Sequence, residues 1–377
     1  MNARENLIRL SMLPKLSHRT LQLLSKSFDS PDTIFSMDEP QLKKAGINKT
    51  DAASIASASS LDVSSVIRSC RAEGISIITY VDFEYPERLK NIYAPPPVLY
   101  IKGVLPDVDE YPVISVIGTR RADAYGIKAA YRFGCDIVRC GGITVSLLTK
   151  GIDAAAAEGA LSSGGRFIAV LGTSHDKADK KQLSSLGSSC AVISEYPPST
   201  GTDRSFFRAR NRIAAGLSTG VVVIQAPLKS GTRFFVNEAA EQGKDIFALP
   251  GNADSPNSEG IIQLLKDGAK PVSCGWDILS EYLCIFPDRV HPAEASFEPP
   301  DTVQVKPAPS DWRSKAEKLN ETQIRILETI EAGSCTSDDI IATSALSAAT
   351  VLSQLTMLEI KGFIRREPGN LFRLKNI

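Results

Sequence analysis

The sequence predicts an α/β protein built on a doubly wound parallel sheet, with a small helical segment before it and a winged helix after it. Three observations predict this. Six short runs, "PVISVIG", "GGITVS", "RFIAVLG", "CAVISEY", "TGVVVIQA" and "KDIFALPG", are β-branched and almost continuously apolar. Helical segments separate or follow them: "YGIKAAYRFGCDIVRC", "GIDAAAAEGALSS", "RARNRIAAGLS", "TRFFVNEAAEQG" and "GIIQLLKDGA". The chain opens and closes with helical periodicity. Strands that do not alternate are buried on both faces, so the sheet is parallel and covered by helices on each side. Right-handed crossovers then place the ligand crevice at the carboxyl ends of the strands.

Taken in order, residues 1–72 read as a small helical domain. "LSHRTLQLLSKSF" and "DEPQLKKAGINKTDAASIASA" carry apolar residues at helical spacing, interrupted by turn signals. "KAGINKTDAASI" resembles one hairpin of a helix–hairpin–helix or SAM-like module, with Gly46 in its turn. Few basic residues line it, which favours a packing role. Residues 73–290 hold the sheet. Two strand-like runs around a Pro-rich turn (residues 75–103) lead into the six apolar runs. Residues 291–316 are Pro-rich, acidic and aperiodic, and read as a linker. In 317–377, three short helical patterns precede "IRREPGNLFRLK", a hairpin turning at Pro368-Gly369-Asn370. Three helices and a hairpin describe a winged helix.

Composition narrows the function. The 377 residues suffice for two or three domains. Lys+Arg and Asp+Glu both number 43, so an anion-binding surface must be a local patch rather than a whole-protein field. No apolar run approaches a membrane span, and the N-terminus lacks a long apolar stretch; a cytoplasmic protein with no membrane partner is expected. Seven scattered cysteines read as buried apolar residues. Three histidines, His18, His175 and His291, give little material for a metal site or a histidine-based triad, and no cofactor is expected.

The strand ends carry the chemistry. The first ends in "VIGTRRADAYG". Gly118 and Thr119 permit a tight turn whose backbone N–H groups can meet an anion, and Arg120 and Arg121 stand where a dinucleotide fold keeps small residues. The second ends in "VSLLTKGIDAAAAEGAL", with Lys150 and Gly151 just before a helix and Asp153 placed to cap it. The fourth delivers Phe206, Phe207, Arg208, Arg210, Asn211 and Arg212 to the same rim. Phosphates favour bidentate arginines, and unstacked bases favour flat apolar or guanidinium surfaces. The bland alternative makes Phe206 and Phe207 core residues and pairs the arginines with Glu195 and Asp203. The fifth ends in "IQAPLKSGTRFF", where Ser230, Gly231 and Thr232 offer hydroxyl and amide donors flanked by Lys229 and Arg233.

Together "VIGTRRADAYG", "GIDAAAAEGAL", "IAVLGT", "ISEYPP", "RNRIAAGLS", "SGT", "EAAEQGKDIFALPGN" and "LLKDGAK" resemble the DprA/Smf family of bacterial DNA-processing (DNA-protecting) proteins. They run in family order over about residues 112–272, and RNRIAAGLS with ALPGN is the most specific pair. The resemblance implies an extended Rossmann-like sheet and a cytoplasmic homodimer. It also implies that the protein binds single-stranded DNA and hands it to the RecA recombinase during natural transformation. Arg120, Lys150, Phe207, Arg210, Asn211, Arg212, Ser230 and Gly231 match the family's motif positions.

The chain departs from the pattern at Leu147, where the family carries Gly, and at Ala157 for a histidine, Arg208 for a proline and Gln225 for a glutamate. Leu147 is expected to hinder close backbone approach of a ligand. A rival reading is a nucleotide-processing enzyme related to the lysine-decarboxylase-like phosphoribohydrolases. It would need a carboxylate at the rim, and Glu195 and Asp153 are the candidates, neither with an evident acid–base partner. A third reading is a transcription regulator. Its recognition helix (residues 347–361) offers only Gln354 and Lys361 as readers, which favours protein contact or packing there.

Overall fold

The computed structural model describes residues 3–13, 15–180, 183, 186, 190–293, 319–331, 336–344, 346–367 and 371–374. The chain forms two compact units, Met1–Asp301 and Thr302–Ile377.

The first unit is organised by a nine-stranded sheet of order β1-β2-β6-β5-β4-β3-β7-β8-β9. Its strands are β1 (Ile75–Thr79), β2 (Val98–Gly103), β3 (Val113–Ile117), β4 (Ile143–Ser146), β5 (Phe167–Val170), β6 (Cys190–Ser194), β7 (Gly220–Val223), β8 (Asp245–Ala248) and β9 (Lys270–Pro271). From β6 to β9 all neighbours are parallel. The chain winds outward from β3 through β4, β5 and β6, then returns to lay β7 on the other side of β3. That reversal opens a crevice beyond the carboxyl ends of β3 and β7. β1 and β2 join the same sheet antiparallel beside β6, so the two runs expected to lead into the sheet are part of it.

Successive strand residues point to opposite faces, and both faces are covered. On one, Val113, Val145, Ile168, Val221 and Val223 pack under the Phe206–Leu217 and Thr232–Glu241 helices through Ile213, Leu217, Phe235 and Ala239. On the other, Ile114, Val116, Val222 and Phe247 pack under the Ala124–Arg139 and Ile152–Ser162 helices through Phe133, Ile137, Ile152 and Ala156. This double burial is why the strands read as continuous apolar runs.

Six short helices, from Ala3–Ser11 to Val63–Ala72, precede the sheet. They are not closed off at residue 72. Leu7, Leu10, Phe28, Leu42 and Ile55 share one core with Ile75, Val98 and Tyr100 of β1 and β2. The Tyr100 hydroxyl meets Ser11 Oγ at 2.7 Å inside that core. Gly46 takes a φ of +91° between the Glu39–Lys44 and Lys49–Ser57 helices. Asp51 ties the module together. Burial alone would raise its carboxyl, but hydrogen bonds from Thr20, Ser17 and Asn48 hold it below the usual range.

The second unit contains the helices Glu321–Glu331, Ser337–Ser344 and Ala348–Ile360 and the antiparallel pair β10 (Ile364–Glu367) and β11 (Leu371–Leu374). Ile326, Leu327, Ile340, Val351, Leu355, Leu358 and Phe372 form its core. The expected turn at Pro368-Gly369-Asn370 lies outside the described residues, as does linker sequence 294–316. Residue 291, where the linker is expected to begin, is packed: His291 N donates to Cys140 O. The two candidate readers of the third helix are tied inward. Gln323, nearly fully buried, donates to Gln354 Oε1 and accepts from Lys361 Nζ.

Cys70, Cys135, Cys140 and Cys190 are buried as expected, whereas Cys284 is exposed. Among the described residues no single helix is long and apolar enough to cross a membrane, and no group of three His, Cys, Asp or Glu could hold a metal ion.

Candidate nucleic-acid interface

The crevice at the strand reversal holds a cavity of about 440 Å³. Gly118, Thr119, Arg120 and Arg121 reach it from β3, and Leu147, Thr149 and Asp153 from β4. Phe207, Arg208, Arg210 and Asn211 reach it from the helix after β6, and Lys229, Ser230, Gly231, Thr232 and Phe234 from the loop and helix after β7. Four separate chain segments therefore meet at one wall. A second cavity of about 540 Å³ lies between the N-terminal helices and the sheet. It mixes Lys15, His18 and Arg208 with Glu195, Asp203 and Glu238, and lacks the single sign of charge that a polyanion requires.

Backbone packing fixes the first two loops. Thr119 N donates to Gln225 O at 2.7 Å, and Ile152 N donates to Thr119 O. Gly151 has a φ of +79°, and a Cβ there would lie 2.4 Å from Thr119 O. Only glycine fits. Gly118 is equally confined, between Ile152 and Gln225 O. Gln225 is structural: its amide donates to Asp123 Oδ1 at 2.9 Å while Asp123 caps the Ala124–Arg139 helix. A glutamate there would confront Asp123 with a second carboxylate. Leu147 turns its side chain into the core, and only its edge reaches the cleft. The neighbouring Leu148 takes the left-handed conformation, φ +51°.

Asp153 departs from its expected capping role. Gly151 occupies the N-cap of the Ile152–Ser162 helix, and the helix has no side-chain cap. Asp153 is 2% exposed and accepts from Thr149 Oγ1 at 2.7 Å. Burial pushes its carboxyl up to about 6, against the opposing effects of Thr149, Arg210 and Arg120.

The Phe/Arg helix sorts its residues by depth. Phe206, expected at the rim, is instead buried and stacks on Tyr196, with ring centroids 4.1 Å apart. Phe207 is 44% exposed and lies against Gly172. Arg210 sits 5.4 Å from the centroid of the Phe207 ring and donates from Nη1 to Leu147 O at 2.8 Å. Burial lowers its guanidinium to about 10. Arg208 lies 4.9 Å over Phe234, a ring 56% exposed that the sequence reading overlooked. The repeated Phe-Phe pair, Phe234-Phe235 after Phe206-Phe207, was the available signal.

Arg212 corrects the expected set. It is 1% exposed and does not line the cleft. Its Nη2 donates to Glu195 Oε2 at 2.6 Å and its Nη1 to Ala209 O. The bland pairing with Glu195 holds for this arginine. The same pair engages Glu195, one of the two carboxylates that the enzyme reading named.

Lys150 and Arg233 are exposed outside the cavity lining, and Gly151 lies beneath it. Arg120, Arg121, Lys150, Arg208, Lys229 and Arg233 are all exposed, and among the described residues none forms an ion pair. The helices Ile152–Ser162, Phe206–Leu217 and Thr232–Glu241 all begin at this rim without side-chain caps. Ile152 N, Phe206 N, Arg208 N, Arg233 N and Phe234 N already donate to backbone carbonyls, while among the described residues Thr232 N has no backbone partner and can meet an acceptor. Free cations, an amide donor and two exposed rings make a receptor for a flexible polyanion carrying flat groups.

Known proteins resemble this chain over most of its length. The family model for DNA recombination-mediator protein A matches residues 76–283, and the model for the DprA winged helix domain matches residues 307–370. Protein Smf of Synechocystis sp. is 32% identical over 311 residues, 78% of each chain. DNA processing protein DprA of Streptococcus pneumoniae is 39% identical over 204 residues, 52% of this chain and 71% of its own. The X-ray structure of the S. pneumoniae protein aligns with a TM-score of 0.62 and 30% identity, over 74% of this chain and 98% of its own. DNA processing protein A from Helicobacter pylori, whose structure describes a single-stranded DNA binding mode, aligns with a TM-score of 0.50 and 26% identity, over 58% of this chain and 97% of its own.

Proposed function

The chain belongs to the DNA recombination-mediator protein A (DprA/Smf) family, and from that premise we propose that it binds single-stranded DNA in the crevice beyond β3 and β7. One observation carries this reading: six exposed cations that form no ion pair among the described residues lie around a cleft that also exposes Phe207 and Phe234. The cations attract phosphates, and the rings offer stacking surface to bases of any sequence. A duplex hides its base faces and is too stiff to follow a concave rim. Single strands are therefore favoured, with little sequence preference. The contact set is Gly118, Thr119, Arg120, Arg121, Lys150, Gly151, Phe207, Arg208, Arg210, Asn211, Ser230, Gly231, Thr232 and Arg233, with Lys229 and Phe234 added and Arg212 reassigned to support.

Family membership extends the proposal. The bound strand is protected and passed to the RecA recombinase in natural transformation, by a homodimer acting in the cytoplasm without catalysis. The core of the proposal is tested by anisotropy titration of a labelled oligothymidine over a salt series. Arg120→Ala and Lys150→Ala should each weaken binding and lower the log–log salt slope by about one unit. An unchanged slope in a folded variant would place those residues away from the strand. The RecA step is tested by nucleation of RecA on a single strand precoated with single-strand-binding protein. Addition of this protein should accelerate nucleation, and no acceleration would remove that step.

A further inference from the structure

Among the described residues lining the cleft, Asp153 is the only acid. A carboxylate at the floor of a phosphate receptor works against the ligand, so its state matters. It is almost fully buried, and among the described residues no cation lies within ion-pair distance. Two charged groups face it from other elements: Arg210 from the Phe206–Leu217 helix and Arg120 from the loop after β3. Its own segment contributes the Thr149 hydroxyl, while Lys150 is turned to solvent. Arg210 is itself only partly satisfied, since its Nε is buried without a partner.

Arg120 and Arg210 are thus shared. When ionised, Asp153 draws on the same two guanidinium groups that a phosphodiester needs. A phosphate arriving in the cleft adds negative charge near Asp153, and a nearby like charge favours the neutral acid. We propose that Asp153 is a positioning residue that takes up one proton from solvent when a single strand occupies the cleft, so that phosphate capture by Arg120 and Arg210 is coupled to its neutralisation. No bond other than the O–H is made, and the shared guanidinium charge passes to the phosphate. The inference rests on the single-strand reading above.

Linkage fixes the sign. The empty cleft holds Asp153 ionised above about 6. Binding that takes up a proton weakens as pH rises through that range, by up to about tenfold per pH unit, and levels off below it. The test is calorimetry of the full chain with oligothymidine near about pH 7, in two buffers of different ionisation enthalpy. Proton uptake is expected in the wild type and is expected to vanish in Asp153→Asn, whose affinity should stay level across the same range. Thr149→Val supplies a second variant. Loss of the hydrogen bond that favours the ionised form should move the affinity window to higher pH. Binding with no proton uptake, equal uptake in Asp153→Asn, or an unmoved window in Thr149→Val would overturn the coupling and leave single-strand binding intact. Absence of binding at every pH would overturn both.

Discussion

Phe206 and Phe207 are adjacent, identical in type and opposite in situation. Phe206 is held against Tyr196 in the core, while Phe207 presents its ring to the cleft. Phe206→Ala should therefore cost about 3–5 kcal/mol of stability, as large-to-small core changes do. Phe207→Ala should leave the melting temperature nearly unchanged and weaken single-strand binding by about 1–3 kcal/mol, with little dependence on salt. Arg210→Ala should lose affinity mainly at low salt. Thermal melts and a salt series on the three variants separate these outcomes. A destabilised Phe207→Ala whose folded fraction binds normally would assign the ring to the core. The Glu195–Arg212 pair makes a different prediction. Glu195→Ala strands a buried guanidinium without its counter-charge, a loss of about 3–5 kcal/mol readable by denaturant titration. Asp153 runs the other way. Burial raises its folded-state pKa above the unfolded value, so it binds a proton more tightly when folded, and its cost appears as pH rises from about 4 to about 6. Asp153→Asn should raise the melting temperature at neutral pH and do so much less below about pH 4, near the unfolded carboxyl value.

At the scale of elements, the loops after β3 and β4 lock together through Gly151 and Thr119. Gly151→Ala forces a strained backbone costing on the order of 1–3 kcal/mol and pushes Arg120 outward, so stability and single-strand affinity should fall together. A melt and a titration on the same sample check this, and a variant as stable and as tightly binding as the wild type would refute the lock. The same elements mark what the sequence could reveal. Strands β3 to β8 were legible because helices cover both faces, which leaves apolar residues at most positions. β9 was not, because two residues, Lys270 and Pro271, carry no period. The strand-end motifs identified which segments meet at the rim, yet not which side chains turn inward. Arg208 and Arg212 lie one turn apart on nearly the same helix face. Arg208 is at the mouth and Arg212 one turn deeper, against Glu195, and depth is a tertiary property. Likewise nothing in the residue type of Leu148 announces a positive φ, and Asp153 has the composition of a cap but the wrong register.

For the whole molecule, the zero net charge and the basic rim are compatible because a local patch needs only a few of the 43 Lys and Arg residues, and among the described residues Asp153 is the one acid lining it. The two compact units imply different truncation outcomes. Residues 302–377 have a core of their own, so a chain ending at residue 301 should fold and retain most single-strand affinity. Removal of residues 1–72 should instead unfold the sheet's β1–β2 edge, because Ile75, Val98 and Tyr100 lose their packing partners. Circular dichroism and the oligothymidine titration distinguish the two truncations.

The central claim is that the crevice beyond β3 and β7 receives a flexible single strand through free cations and exposed rings. The most direct test is a titration of the full chain with a single-stranded oligonucleotide and with its duplex, in parallel over a salt series. The account predicts tighter binding of the single strand at every salt concentration, with a residual affinity at high salt that Phe207→Ala removes. Equal affinity for the duplex, or a single-strand affinity that vanishes entirely with salt and ignores Phe207→Ala, would contradict it.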